Sequence, residues 1–192
     1  YKTVMQYFLP ELVTAVILYS IPQLIDARFI AHLKSTSSYA TLGMTNTLLH
    51  AIIKLAEGLS VATIVLAGRY HGSKLYKEAG KVALNSFWTT FIMGAAFAFS
   101  LYFGAAWIYD WYGIPEEMIS LGIPFLKTRA IGIFFTFVYF GLIGFLRGIK
   151  NTKVPMYSFT VGCLIFLFFD YALIFGKFVF PVLGLQGSAL AS

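Results

Sequence analysis

Three carboxylates, Asp26, Glu57 and Asp170, stand in otherwise apolar stretches of the sequence. An ionisable group at the centre of a membrane helix costs roughly 2.5–3.5 kcal/mol on insertion scales, so each needs a physical reason. Asp170 has Cys163 and Phe166 as its same-face neighbours and no polar partner along its own helix. A carboxyl group so placed can load and release a proton under a physiological gradient. The alternative is a hydrated position near the outer interface. Asp26 lies with Tyr19 and Gln23 inside an arc of about 60° on a helix, a polar stripe that should face a bundle interior. Capping of a helix end, or pairing with an Arg of a neighbouring helix, is the structural alternative for Asp26. Arg28 falls about 200° from it and reads as an interfacial anchor. Pro22, one turn before Asp26, removes the hydrogen bond to the Leu18 carbonyl and predicts a kink. A bent helix beside an intramembrane carboxylate is a recurring construction for ion sites.

A second polar stripe comprises Asn46, His50, Lys54 and Glu57, spaced four, four and three and covering an arc of about 80°. Lys54 and Glu57 can neutralise each other across one turn. That pair alone would let the helix insert. In the functional alternative Glu57 or His50 lines a water-filled cavity; His50 by itself reads as a hydrogen-bonded interior residue. No His, Cys, Asp or Glu spacing suits a metal, no Gly-rich phosphate loop occurs, and no Ser-His-Asp set has plausible depth. The sequence therefore predicts no catalytic residues, no metal and no cofactor beyond a coupling ion. The single cysteine, Cys163, reads as a small core residue.

The elements that must hold these groups follow from composition. Of 192 residues, 59% are hydrophobic and 11% charged, against about 25% charged in soluble domains. A water-soluble, disordered or disulfide-stapled class is thereby excluded. The net charge of +6 does not signal nucleic acid, because the basic residues sit in short connections rather than in one patch. The expected fold is an all-α integral membrane protein, a polytopic helix bundle with spans near residues 8–31, 43–67, 84–109, 119–146 and 154–176, and the start of a sixth at 181–192. Arg69, Lys74, Lys77 and Lys81 fill one connection, and Arg147, Lys150 and Lys153 another, so these loops and the N-terminus should face the cytoplasm. Lys127 and Arg129, early in the fourth span, blur this count. Gly94 with Ala98, and Gly144 with Gly148, have the four-residue spacing that lets membrane helices approach closely. Trp107, Trp111 and Tyr112 suit an outer aromatic belt, and the other aromatics mostly suit a lipid-facing surface. Tyr1 in place of Met, and an apolar run that stops at Ser192, suggest part of a longer polypeptide.

The stretch Gly144-Phe-Leu-Arg-Gly-Ile-Lys-Asn-Thr-Lys-Val-Pro155, with Phe169-Asp-Tyr-Ala-Leu-Ile-Phe-Gly176 and Pro181-Val-Leu-Gly-Leu-Gln-Gly-Ser-Ala-Leu-Ala191, resembles the multidrug and toxic compound extrusion (MATE) transporters. Pro10-Glu-Leu, Ile25-Asp26, and Glu57-Gly-Leu-Ser through Ala67-Gly-Arg-Tyr-His-Gly72 extend the resemblance over nearly the whole chain. It implies two six-helix lobes around a central cavity, this chain being most of the N-terminal lobe of an inner-membrane protein. It implies export of amphipathic or cationic organic compounds in exchange for H⁺ or Na⁺, with Asp26 and Asp170 at the family's acidic positions in helices one and five. Many members carry Asn one turn before the helix-five acid. Phe166 stands there in this chain, removing an oxygen ligand and favouring H⁺. Partners on this reading are a small organic substrate, membrane lipid and the second lobe, with no nucleic acid. The competing readings are a flippase of lipid-linked precursors in the same superfamily, a non-transporting membrane scaffold and an intramembrane enzyme.

Overall fold

The computed structural model describes residues 2–19, 24–25, 27–29, 36–113, 115–176 and 181–191. Among them the regular elements are all helices: α1 (Lys2–Tyr19), α2 (Thr36–Gly72), α3 (Tyr76–Trp111), α4 (Glu116–Gly148), α5 (Lys153–Phe175) and α6 (Leu185–Ala191). Four of them, α2 to α5, are long and apolar enough to cross a membrane. Helices are the form that apolar runs must take in lipid, where each backbone N–H and C=O needs a partner within its own segment.

Helices α2, α3 and α4 outrun the expected spans at both ends, and α5 agrees with its span to within one residue at each end. The span expected at residues 43–67 is α2, of 37 residues, about 55 Å long at 1.5 Å per residue. Hydropathy marks only the part that matches a hydrocarbon core of about 30 Å, whereas the backbone stays helical through the headgroup zone. The sixth segment is helical as α6 from Leu185, and residues 181–184 precede that helix. The expected kink at Pro22 lies outside the described residues, as do Gln23 and Asp26. Pro10 sits inside α1, and the Thr14 hydroxyl donates back to the Pro10 carbonyl oxygen at 2.8 Å.

Helices α2, α3 and α4 pack into one bundle, α1 lies on α5, and α6 wedges between α4 and α5. The main core joins Leu49 and Ala56 of α2, Leu101, Ala105 and Tyr109 of α3, and Leu126, Ala130, Ile133 and Phe137 of α4. A second cluster, Leu42, Phe125, Ile174, Leu185 and Ala189, ties α6 to α2, α4 and α5, with Phe29 packed against it. Small residues set the spacing, as expected for helices that lipid does not drive together. A Cβ on Gly144 would lie 2.7 Å from the Ser60 carbonyl oxygen, and one on Gly148 would lie 2.7 Å from the Ala67 Cβ. Between α2 and α3, Thr63 and Ser86 share a hydrogen bond of 2.8 Å, and Tyr109 bonds Thr45 where α3 ends and α2 begins.

The contact of Gly148 with Ala67 brings the ends of α2 and α4 together, so both basic connections sit at one end of the bundle. Each turns on a lysine with positive φ, Lys74 at 59° and Lys150 at 64°. In the second turn the Asn151 N–H donates to the Leu146 carbonyl at 2.9 Å, closing the helix end. Glu11 of α1 reaches the same end and pairs with Arg147 at 2.9 Å. Toward the opposite end, Trp107 and Trp111 of α3 and Tyr112 just beyond it are exposed, where the aromatic belt is expected.

Candidate functional site

Asp170 is fully buried, with both carboxylate oxygens shut off from solvent. It lies one turn before Ile174, a member of the apolar cluster that α5 builds with Leu185 and Ala189 of α6. The two helices meet there because Gly187 has no side chain: a Cβ at that position would lie 2.7 Å from the Leu173 carbonyl oxygen. The acid therefore lies one turn from the α5–α6 contact. Phe29 packs on the exposed side of the same helix, 5.8 Å from Tyr171 and 5.6 Å from Phe175 between ring centres. Phe29 thus lies against the last turns of α5, while the Tyr19 side chain, Pro22, Gln23 and Asp26 lie outside what is described. Arg28 is exposed, in keeping with an anchor.

The α2 stripe divides in two. Lys54 and Glu57 form the expected ion pair, at 2.8 Å, with the lysine side chain 62% and the glutamate side chain 20% accessible. One and two turns earlier, His50 and Asn46 border a cavity of about 240 Å³ with Tyr39, Thr47 and Ala27. His50 is exposed at this cavity rather than interior, which corrects the reading of it as an enclosed residue. The helix turns His50 outward because Leu49 beside it fills the core face. Arg129 of α4, Lys54 and Glu57 are all within electrostatic reach of His50. Two predicted residues, Asn46 and His50, are thus brought together. Asp170 lines neither this cavity nor the next.

A larger cavity of about 640 Å³ lies between α4 and α6, walled by Thr128, Gly132, Thr136, Phe135 and Tyr139 with Ala189 and Leu190. Its size falls in the range of about 300–1,000 Å³ usual for organic ligands, and its mainly apolar wall with a few hydroxyls fits an amphipathic molecule. Thr128 and Thr136 donate to the Pro124 and Gly132 carbonyls at 3.0 and 2.8 Å, leaving their oxygens as acceptors. Sequence reasoning missed this wall, although Thr128, Gly132 and Thr136 stand four apart on one helix face and could have revealed it. It also missed Glu11, whose partner Arg147 was counted only toward loop charge.

The MatE family model matches residues 12–172. A relative named probable multidrug resistance protein YoeA, from Bacillus subtilis (strain 168), is 27% identical over 188 residues, covering 98% of this chain and 41% of the relative. A protein named probable multidrug resistance protein NorM, from Bacillus cereus (strain ATCC 10987 / NRS 248), is 28% identical over 135 residues, covering 70% of this chain and 30% of the relative. Among solved structures, a MATE in the straight conformation superposes with a TM-score of 0.91 at 22% identity, over 99% of this chain and 41% of that one. The chain spans less than half the length of these relatives.

Proposed function

This chain belongs to the MatE family, and from that premise we propose that it is the N-terminal lobe of a two-lobe secondary transporter in the plasma membrane. On this reading it exports amphipathic or cationic organic compounds in exchange for H⁺, with the basic connections and the N-terminus on the cytoplasmic side. The relatives named as multidrug resistance proteins support the substrate class.

One observation carries the coupling role: Asp170 is wholly buried in a membrane-length helix. Water solvates a carboxylate far better than a helix seam does, so protonation and burial favour each other. A proton taken up from one side lowers the cost of the closed, dry arrangement, and its release favours one in which water reaches the acid. By the family resemblance, Asp26 is the second acid of the pair. Phe166 leaves this part of α5 without an amide oxygen, which favours a proton over a sodium ion that needs several oxygens.

The test is pH-driven drug efflux by the complete polypeptide carrying Asp26→Asn or Asp170→Asn, with membrane-inserted protein measured alongside. Loss of the pH dependence in either variant, at normal insertion, is the expected result. Unchanged pH-driven export in both would refute the coupling role. A response to Na⁺ at constant pH would overturn the choice of ion.

A further inference from the structure

We infer that the cavity bordered by Asn46 and His50 is a docking pocket for a nitrogen-bound hydrogen donor on the polar end of the substrate, with the Asn46 amide oxygen as its acceptor. This deepens the transporter reading and rests on it.

The Asn46 Oδ1 atom is buried and, among the described residues, accepts no hydrogen bond. Native proteins leave few buried acceptors so, because each forfeits its hydration without recompense. The adjacent hydroxyl cannot serve it: Thr47 Oγ1 already donates to the Gly43 carbonyl at 2.9 Å. Having spent its hydrogen, that oxygen can only accept as well. Asn46 and Thr47 thus border one cavity, each with an oxygen that can accept, and an amine or amide bearing N–H groups is the complementary chemistry. The terminal torsion of asparagine is broad, so a modest rotation turns Oδ1 onto the cavity. Tyr39, half exposed, supplies an aromatic wall for the body of the ligand.

The pocket is built on the exposed side of α2 at bilayer depth, the side on which Lys54 is also accessible. The charges facing His50 are of both signs, Arg129 and Lys54 against Glu57. Hydrogen donors, rather than net charge, are what distinguish ligands at this position.

The test compares two cationic dyes exported by the complete polypeptide in cells lacking other efflux pumps. Ethidium carries aromatic amine N–H groups, and tetraphenylphosphonium has no hydrogen-bond donor. Asn46→Leu should lower ethidium export about tenfold, the scale of one lost hydrogen bond, and leave tetraphenylphosphonium export within about twofold. Asn46→Asp, which keeps an acceptor, should retain ethidium export. Gly43→Val probes the same space without touching the acceptors: a Cβ there meets nothing within 4 Å, so the fold tolerates it while the cavity fills. It should reproduce the selective loss, and it carries the test where Asn46→Leu fails to accumulate. Equal loss of both dyes, or loss of neither, overturns the pocket while leaving the transporter reading intact. Failure of the unmodified protein to export either dye overturns both.

Discussion

Replacing Gly144 with alanine tests whether close helix approach holds the α2–α4 contact. The new Cβ would lie 2.7 Å from the Ser60 carbonyl oxygen and 3.0 Å from the Ser60 Cα. Comfortable non-bonded separations are about 3.5–4.0 Å, and backbone atoms cannot swing aside as a side-chain tip does. The two helices must part by roughly 0.5–1 Å over that turn. Overpacking of this kind costs about 1–3 kcal/mol, and alanine returns up to about 1 kcal/mol as the better helix former. A net loss of about 1–2 kcal/mol remains. Gly162 of α5 provides the control, because a Cβ there meets nothing within 4 Å. The same substitution at that position should gain about 0.5–1 kcal/mol. The assay is denaturant titration of the complete polypeptide in mixed micelles, following helix content. Two chemically identical changes should move the midpoint in opposite directions, separated by about 2–3 kcal/mol. Shifts of equal sign and size would show that the Gly144–Ser60 contact does not limit the packing.

Tyr109→Phe removes the hydrogen bond to Thr45 with both residues buried, and should cost about 1–2 kcal/mol in the same titration. The double variant with Thr45→Val should cost less than the two single changes added together. Lys54→Met removes the ammonium 2.8 Å from Glu57, itself only 20% accessible. It should lower the membrane-inserted yield by an amount corresponding to about 1–2 kcal/mol, and adding Glu57→Gln should recover most of it.

Much of the architecture was legible in the sequence because lipid simplifies the problem. A run of some twenty apolar residues between basic connections has one stable form in a bilayer, so α2 to α5 could be placed from hydropathy, to within several residues at each end. The i,i+3 spacing of Lys54 and Glu57 was equally readable, since a helix fixes which side chains of its own turns can meet. Family membership also lay in local strings of residues, chiefly the turn from Arg147 to Pro155.

Contacts between helices were decided by the tertiary structure, because rotation and pairing of apolar helices leave little trace in a single sequence. Sequence alone left the surroundings of Asp170 open; the fold buries it one turn from the contact of Gly187 with Leu173. Sequence also left His50 either interior or lining a cavity; the demands of Leu49 on the core turned the imidazole outward beside a cavity. The pairing of Glu11 with Arg147 joins residues far apart in the chain, and no periodicity within one helix reports it. Periodicity gives the faces of each helix, and only the shapes of the neighbours determine which face becomes seam, cavity or lipid boundary.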